Sequence, residues 1–320
     1  MLRRAALILL TCSLGACSPS AEQAWQLTAQ GMYTGSISPD AEYALVGSLN
    51  HGASLWRITD YERLFDWNHS ADQPVELVAA TFSPDGKTAV TTDPRTLVVW
   101  DTATGQSLQF WGTPGSVLDA KVVPGTLDVL LGLDDHSAIV FDASSGRHRH
   151  SFLTEGQVTT VDVSRDGKLA ATGSDDHFAV IWSLETGEAL QRIDLGNPVR
   201  KVALSPDGKT LLAAASKSQV GVWNVESGNL LYEFYHRSPG ITSASFSQDG
   251  TKLLLGTVNR TVELWNVSAG HRVQRWQLPA KNPWKPAGSA VLALAFTSQP
   301  GRFRALAGDG QLLALRLERS

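Results

Sequence analysis

A unit of about 41 residues recurs along the chain, and this repeat constrains the fold more than any other feature of the sequence. One aromatic side chain closes the third apolar stretch of each unit, at Trp56, Trp100, Phe141, Trp182, Trp223 and Trp265, with spacings of 44, 41, 41, 41 and 42 residues. A seventh copy ends at Leu315, where an aliphatic replaces the aromatic. Self-similarity of this length predicts a repeat architecture rather than the roughly two domains that chain length alone would suggest.

Each unit contains four apolar stretches of strand length, separated by turns. In the clearest copy the first stretch covers residues 199–204 and is followed by Ser205-Pro206-Asp207-Gly208. Pro fixes φ at the second position of such a turn and Gly accepts the positive φ that follows, so the chain reverses tightly there. Four short strands per unit are the composition of a β-propeller blade.

The two ends of the chain supply complementary parts of one unit. The last copy stops after its third stretch, residues 312–317, while residues 23–28 read like the fourth stretch of the other copies. Pairing the two would remove an open sheet edge. We therefore predict an all-β, seven-bladed β-propeller with four antiparallel strands per blade, whose last blade is closed by the N-terminal strand; six or eight blades are the alternatives. The predicted blades cover residues 31–70, 75–112, 116–153, 157–195, 198–236, 240–279, and 289–318 together with 23–29.

These repeats resemble WD40 repeats over almost all of residues 23–318. Trp100-Asp101 matches the family dipeptide, and degenerate forms of it stand at residues 141–142, 182–183, 223–224 and 265–266. The Gly-His dipeptide that usually opens a WD40 repeat is missing from the opening of every repeat. The family's buried hydrogen-bond network of Trp, Ser/Thr, Asp and His should therefore be incomplete, leaving apolar packing of the Trp side chains to hold the blades. Other propeller families are the alternative.

The first sixteen residues are predicted to be a signal peptide. Arg3 and Arg4 precede an apolar run, residues 5–10, that is too short to span a bilayer. The sequence Leu14-Gly15-Ala16-Cys17 then resembles the lipobox of bacterial lipoproteins. The resemblance implies cleavage before Cys17, a diacylglycerol thioether on its sulfur and acylation (palmitate) of the new amine. Several acyl chains give stable anchoring. The alternative is an ordinary secretory signal cleaved nearby.

Residues 17–22 are predicted to form a short lipidated tether before the propeller at residues 23–318. Ser18, rather than Asp, follows the cysteine, which by resemblance implies sorting to the outer membrane with the propeller facing the periplasm; the inner membrane is the alternative. At roughly 3.5 Å per residue the tether spans less than about 20 Å, so the propeller should lie close to the bilayer. Cys12 is the only other cysteine, and it lies within the signal peptide.

Two insertions break the repeat length, at residues 68–76 and 281–290. Both fall on connections between the fourth strand of one blade and the first strand of the next. These connections share a face of the propeller with the second-to-third strand turns, and we call it the top face. Irregular insertions on a regular scaffold favour binding. We predict that Trp284, between two prolines, contacts a partner together with Lys281 and Lys285; alternatively Trp284 packs onto its own propeller.

Polar residues recur five positions before the closing aromatics, at the second-to-third strand turn. The predicted top-face contacts here are His51, Arg95, His136, His177 and Arg260, and Arg200 completes the candidate set; Ser218 and Gly310 occupy the same position in the other units. Such a ring would form a pH-sensitive basic rim. Two alternatives exist: ordinary turn chemistry, or a metal site formed by these imidazoles with Asp134, Asp135, Asp175 and Asp176. We predict no metal ion and no cofactor.

Motifs of common enzymes are missing from the sequence. It has no Gly-x-Ser-x-Gly, no His-Glu-x-x-His and no P-loop, and its net charge of −4 without a Lys/Arg run argues against nucleic-acid binding. Lys121 and Asp162 occupy equivalent first-strand positions and should neutralise each other. The sequence therefore predicts a non-enzymatic scaffold that binds a protein partner. The alternative is a propeller enzyme or small-molecule binder that uses the channel mouth.

Overall fold

A computed structural model describes residues 21–29, 31–48, 51–69, 75–217, 219–237, 239–280 and 289–318. These residues form twenty-eight β-strands arranged in seven four-stranded antiparallel sheets. Within these ranges no helix is long and apolar enough to cross a bilayer. The prediction of an all-β propeller with seven blades is confirmed.

Blades 1 to 6 each consist of four strands that are consecutive in the chain and pair in chain order. Blade 1 comprises β2 (Met32–Ile37), β3 (Tyr43–Ser48), β4 (Gly52–Arg57) and β5 (Glu62–Trp67). Blade 2 comprises β6 (Ala79–Phe82), β7 (Thr88–Thr92), β8 (Thr96–Asp101) and β9 (Ser107–Gly112). Blade 3 comprises β10 (Val117–Val122), β11 (Asp128–Leu133), β12 (Ser137–Asp142) and β13 (Arg147–Leu153).

The next three blades follow the same plan. Blade 4 comprises β14 (Val158–Val163), β15 (Leu169–Ser174), β16 (Phe178–Ser183) and β17 (Ala189–Asp194). Blade 5 comprises β18 (Val199–Leu204), β19 (Thr210–Ala215), β20 (Val220–Asn224) and β21 (Leu230–Tyr235). Blade 6 comprises β22 (Ile241–Phe246), β23 (Lys252–Thr257), β24 (Thr261–Asn266) and β25 (His271–Gln277).

Blade 7 joins the two ends of the chain, as predicted. Its strands are β26 (Val291–Phe296), β27 (Arg302–Ala307), β28 (Gln311–Arg316) and, at the outer edge, β1 (Gln23–Gln26). β1 runs antiparallel to β28, with Gln23 opposite Ala314 and Gln26 opposite Gln311. The strand is two residues shorter than the predicted stretch 23–28, and its end is fixed by a hydrogen bond of 2.8 Å from Leu27 N to Gly310 O. The ring is therefore closed by strand pairing.

The closing aromatics occupy one equivalent position in successive blades. Each lies opposite the second residue of the second strand in its blade, for example Trp100 opposite Ala89 and Trp182 opposite Ala170. A ring from the fourth strand of the preceding blade stacks on several of them: the centroids of Trp67 and Trp100 are 5.1 Å apart. The corresponding distances are 4.8 Å for Phe152 and Trp182 and 4.5 Å for Phe234 and Trp265. Each such contact therefore packs one blade against the next.

The prediction of an incomplete hydrogen-bond network is wrong for blade 2. Trp100 Nε1 donates to Thr91 Oγ1 at 2.8 Å, and His69 Nε2 lies 2.7 Å from the same hydroxyl. His69 Nδ1 lies 3.2 Å from Asp93 Oδ2 and 2.7 Å from Thr96 Oγ1. All four members of the family network are therefore present. The residue before His69 is Asn68 rather than Gly, so a search for Gly-His fails to find it.

The other blades carry reduced or altered versions of this network. In blade 4 Trp182 Nε1 donates to Thr172 Oγ1 at 2.9 Å. In blade 6 Trp265 Nε1 donates instead to the buried carboxylate of Glu263, at 3.0 Å. Sequence reasoning assigned the closing Trp residues to apolar packing alone, whereas several of their indole N–H groups also have hydrogen-bond partners inside the propeller.

The side chain of His69 makes the stability of the propeller pH-dependent. Burial lowers the pKa of His69, although Asp93 beside it acts in the opposite direction. The unfolded chain therefore binds more protons than the folded one. The stability that neutral His69 contributes is fully present above the free imidazole pKa of about 6.5 and declines as the pH falls below it.

We expect His69→Gln to cost about 1–3 kcal/mol at pH 7.5, because it removes partners from buried hydroxyl groups. Wild type should then lose more stability than His69→Gln between pH 7.5 and pH 5, as measured by urea unfolding at both values. His51→Gln, a substitution of an exposed histidine, is the control and should follow wild type. Parallel losses in wild type and His69→Gln would contradict this assignment.

Candidate functional site

The top face is built from second-to-third strand turns and from the loops between blades. The turn position singled out from the sequence adopts a left-handed backbone in several blades, with φ of 69° at His136, 78° at His177 and 60° at Arg260. In blade 5 the left-handed residue is Lys217. The turn requires a left-handed residue near this repeating position, which agrees with the alternative that these polar residues serve the turn.

Aspartates next to this position hold the turns and join them to neighbouring loops. Asp93 Oδ1 accepts hydrogen bonds of 2.7 Å from Arg95 N and Thr96 N. Asp134 Oδ1 accepts from Ser116 N at 3.0 Å, which ties the turn to the loop entering the same blade. These carboxylates support the backbone. Among the residues that the structure describes, no group of three or more His, Cys, Asp or Glu could hold a metal ion.

The predicted rim residues are not equally available. His51, Arg95, His136 and His177 are exposed on the top face. Arg260, by contrast, is 5% exposed. Its guanidinium donates to Asp309 Oδ2 at 2.6 Å, to Gln311 Oε1 at 3.0 Å and to Pro279 O, all groups that join blade 6 to blade 7. Arg260 therefore joins blades 6 and 7, and its buried side chain does not belong to the exposed surface of the top face.

The rest of the candidate set lies outside the described residues. Trp284, Lys281 and Lys285 fall in the second insertion, and Cys17 falls before residue 21. Ser218, at the turn of blade 5, is also outside the described ranges.

A β-bulge interrupts the first strand of six blades, and five of the six bulged residues line the central channel. The register shifts at this point in β2, β10, β14, β18, β22 and β26. The bulged residues are Tyr33, Leu118, Thr159, Arg200, Thr242 and Leu292. Bulges re-aim side chains and are common beside functional sites. Together these six residues form a ring that we call the mouth ring.

Two members of the mouth ring are strongly exposed. Tyr33 is 54% exposed, and a hydrogen bond to Glu76 of the next blade raises its pKa. Arg200 is also exposed and donates to Asp175 Oδ1 at 2.8 Å. Sequence reasoning selected Arg200 but missed Tyr33, because a bulge has no signature in a single strand. The hydroxyls of Thr159 and Thr242 instead donate to carbonyl groups of the following blade, at 2.7 and 2.8 Å.

The central channel has a volume of about 1240 Å³ and is lined by the first strands and their turns. Lys121 Nζ lies 3.7 Å from Asp162 Oδ1, as the predicted neutral pair requires. The second oxygen of Asp162 accepts from Leu204 N at 2.7 Å, and Asp119 Oδ2 accepts from Val161 N at 3.0 Å. These channel carboxylates therefore connect neighbouring blades through backbone hydrogen bonds.

Seven blades of one design, closed by the N-terminal strand around a central channel, define a β-propeller. The family described as "WD domain, G-beta repeat" matches residues 146–183 and 228–266. Each match covers the fourth strand of one blade and the first three strands of the next. Blade 7 divides in the same way, since its fourth strand is β1 and its first three strands come from the other end of the chain. A comparison with curated proteins finds no match. The chain is a WD40-repeat β-propeller.

Proposed function

We propose that this propeller is a non-enzymatic scaffold that binds a protein partner through its top face. WD40 propellers generally bind protein partners. The observation that carries the proposal is the mouth ring, which presents an exposed tyrosine and an exposed arginine, Tyr33 and Arg200, within a circle of smaller side chains. Tyr and Arg are enriched among residues that dominate binding energy. His136 and His177 lie at the turns around this ring.

A photocrosslinker introduced at different positions tests this proposal in intact membranes. We expect benzoylphenylalanine at Tyr33 to form adducts with one protein of defined mass. The same residue at Lys168, which is exposed on the opposite face, should form none. Adding Arg200→Ala should weaken the Tyr33 adduct at least fivefold, as removal of a central interface arginine does. Arg165→Ala, on the opposite face, is the matched control. Equal adducts from both faces would contradict the proposal.

The channel supports the second candidate, a small-molecule binder or enzyme. Its volume of about 1240 Å³ would accept a small ligand. The charged groups that the sequence placed there, Lys121 and Asp162, are paired with each other, and Asp162 also accepts a backbone hydrogen bond. A Lys121→Met/Asp162→Asn variant that forms normal Tyr33 adducts would favour the scaffold over this alternative.

We further propose that the propeller is anchored to a membrane through acylated Cys17 and faces the periplasm at the outer membrane. The support is the lipobox resemblance, together with the position of Ala21, which packs against blade 7 only four residues after Cys17.

We expect Cys17→Ser to abolish palmitate labelling and to release the protein from the membrane fraction, because the thioether needs the cysteine sulfur. Cys12→Ser, in the predicted signal peptide, is the matched control and should leave labelling unchanged. Ser18→Asp should move the acylated protein from outer-membrane to inner-membrane fractions on a density gradient. Undiminished labelling of the Cys17→Ser protein would disprove the anchor.

A further inference from the structure

We infer that the bottom face of blades 6 and 7 rests on the lipid bilayer, with Arg272, Arg302 and Arg316 against anionic phospholipid headgroups. The bottom face is the one that carries the first-to-second and third-to-fourth strand turns. This inference rests on the proposed acylation of Cys17, and it adds an orientation and a contact surface to that proposal.

The direction of β1 determines where the tether reaches the propeller. β28 runs from the top-face turn at Gly310 to the bottom face at Arg316, and β1 is antiparallel to it. Glu22 N donates to Ala314 O at 2.9 Å, while Gln26 Nε2 donates to Asp309 O at 2.8 Å. β1 therefore begins toward the bottom face and ends at the top face.

Ala21 and Glu22 are held at the bottom corner of blade 7, where β28 ends. Ala21 packs against an apolar cluster that includes Leu315 and Phe303 of blade 7. Its neighbour Glu22 has a carboxylate 3.8 Å from the guanidinium of Arg302 and 4.0 Å from that of Arg316. Any tether from a lipid must therefore reach the bottom corner of blade 7.

Chain length then excludes the opposite orientation. Residues 17–21 are joined by four peptide units, which span at most about 14 Å when fully extended. β28 has six residues, and at roughly 3.3 Å per residue it is about 20 Å long. Because the tether is shorter than the propeller is thick, an acyl chain at Cys17 inserted in the bilayer holds the bottom face, and not the top face, against the surface.

The charges near this corner fit an anionic surface. The side chains of Arg272, Arg302 and Arg316 are 43%, 49% and 59% exposed. With Arg275 and Lys252, five basic side chains stand beside four acidic ones, Glu22, Asp249, Glu263 and Glu318, and Arg272 donates to Glu263 at 3.0 Å. One of these carboxylates, Glu263, is buried. The corner is thus locally positive on a chain whose net charge is −4. Guanidinium groups bind phosphate in a bidentate geometry, and basic residues near a bilayer are attracted to anionic lipids.

The neighbouring corner of blade 1 has the opposite charge balance. Arg57 pairs there with Asp60 and Glu62, and Arg63 pairs with Asp66, which leaves an excess of one negative charge. The propeller should therefore tilt so that blade 6 lies closer to an anionic bilayer than blade 1 does. The mouth ring on the top face is then directed away from the membrane and is open to a partner.

Fluorescence quenching by a spin-labelled lipid measures this orientation directly. Cys12 and Cys17 are the only cysteines, so in the acylated protein an introduced cysteine is the one free thiol. We would label His271→Cys (blade 6, bottom), Gln299→Cys (blade 7, bottom), Pro39→Cys (blade 1, bottom) and Glu155→Cys (blade 4, top), all exposed positions. The vesicles contain phosphatidylcholine, phosphatidylglycerol as the anionic lipid, and a lipid with a nitroxide headgroup.

We expect at least threefold stronger quenching at residues 271 and 299 than at residue 155, with residue 39 between them. Arg302→Gln/Arg316→Gln should remove the difference between residues 271 and 39 and leave residue 155 the least quenched. Equal quenching at all positions, or strongest quenching at residue 155, overturns the orientation. Flotation and the mass of the N-terminal peptide are measured on the same samples. Protein that lacks acyl chains and does not float overturns the anchor, and the inference with it.

Discussion

Replacing Glu263 with leucine is expected to lower the free energy of unfolding by about 3–5 kcal/mol, the cost typical of removing one partner from a buried charged cluster. Glu263 is 4% exposed in β24 and faces the fourth strand of blade 5. Its carboxylate accepts from Trp265 Nε1 at 3.0 Å, from Arg272 at 3.0 Å and from the hydroxyl of Tyr235. The substitution leaves the indole and phenol donors without this acceptor between blades 5 and 6.

The surroundings of Tyr235 favour the protonated, donating form of its hydroxyl. Burial, followed by the hydrogen bond to Glu263, raises the pKa of Tyr235 far above its usual range. Leucine itself fits this position in the blade design, since the equivalent residues in blades 3, 4 and 7 are Ile139, Val180 and Leu313. The loss should therefore come from the donors left behind and not from the apolar side chain.

A double-mutant cycle separates the cost of the unpaired donors from the cost of the leucine side chain itself. In a Tyr235→Phe background Glu263→Leu should cost about 1 kcal/mol less than in wild type, because one orphaned donor has been removed. Arg275→Ala is the control: its guanidinium lies 3.8 Å from Glu263 and is 49% exposed, so its loss should cost less than about 1 kcal/mol. Urea unfolding supplies the free energies. Additive losses in the cycle would refute the shared network.

The ring and its closure were predictable from the sequence because both depend on local patterns. Four short apolar stretches and their turns recur with a nearly constant spacing, and each stretch carries its own strand signal between turn residues. The missing fourth strand of the last copy and the surplus strand at residues 23–28 then leave a single pairing that removes the open edge. The structure confirms that pairing between β1 and β28.

Contacts between blades could not be predicted in the same way. His69 lies outside any regular strand, and its place in the network depends on Thr91 and Asp93, which are far from it in the chain. Glu263 looks like an ordinary polar residue in its own strand, and its partner Tyr235 belongs to another blade. Periodicity reports which face of a strand is buried, but it does not report which side chain from the next blade reaches it.

The candidate site illustrates the same limit. Arg260 shares its place in the repeat with the exposed His136 and His177, yet it is buried because Asp309 and Gln311 of blade 7 provide acceptors for it. The exposure of Tyr33 could not be predicted because it comes from a bulge, and a bulge depends on the register between two strands. A sequence repeat predicts equivalent backbone positions, whereas the neighbours decide which of those positions can bind a partner.

Trp25→Ala is expected to open the ring at one place without unfolding the remaining blades. Trp25 lies opposite Leu312 in the closing pair of strands. Its ring stacks on Tyr61 of blade 1 at 4.0 Å, and the guanidinium of Arg304 lies 5.7 Å from its centroid. Because Trp25 is half-buried, we expect a loss of about 2–3 kcal/mol, below the value of about 3–5 kcal/mol for a fully buried tryptophan.

The location of the effect distinguishes ring closure from ordinary packing. If β1 detaches more often, the amides of β28 lose a partner strand, and their hydrogen exchange should accelerate at least tenfold while exchange in β14 to β17 stays unchanged. Trp111→Ala is the matched control. Trp111 is also half-buried on a fourth strand, and its Nε1 donates to Ala143 O of the next blade at 2.7 Å. It should reduce stability by a similar amount but leave exchange in β28 unaltered. Equal protection of β28 in both variants would mean that the seventh blade does not depend on the N-terminal strand.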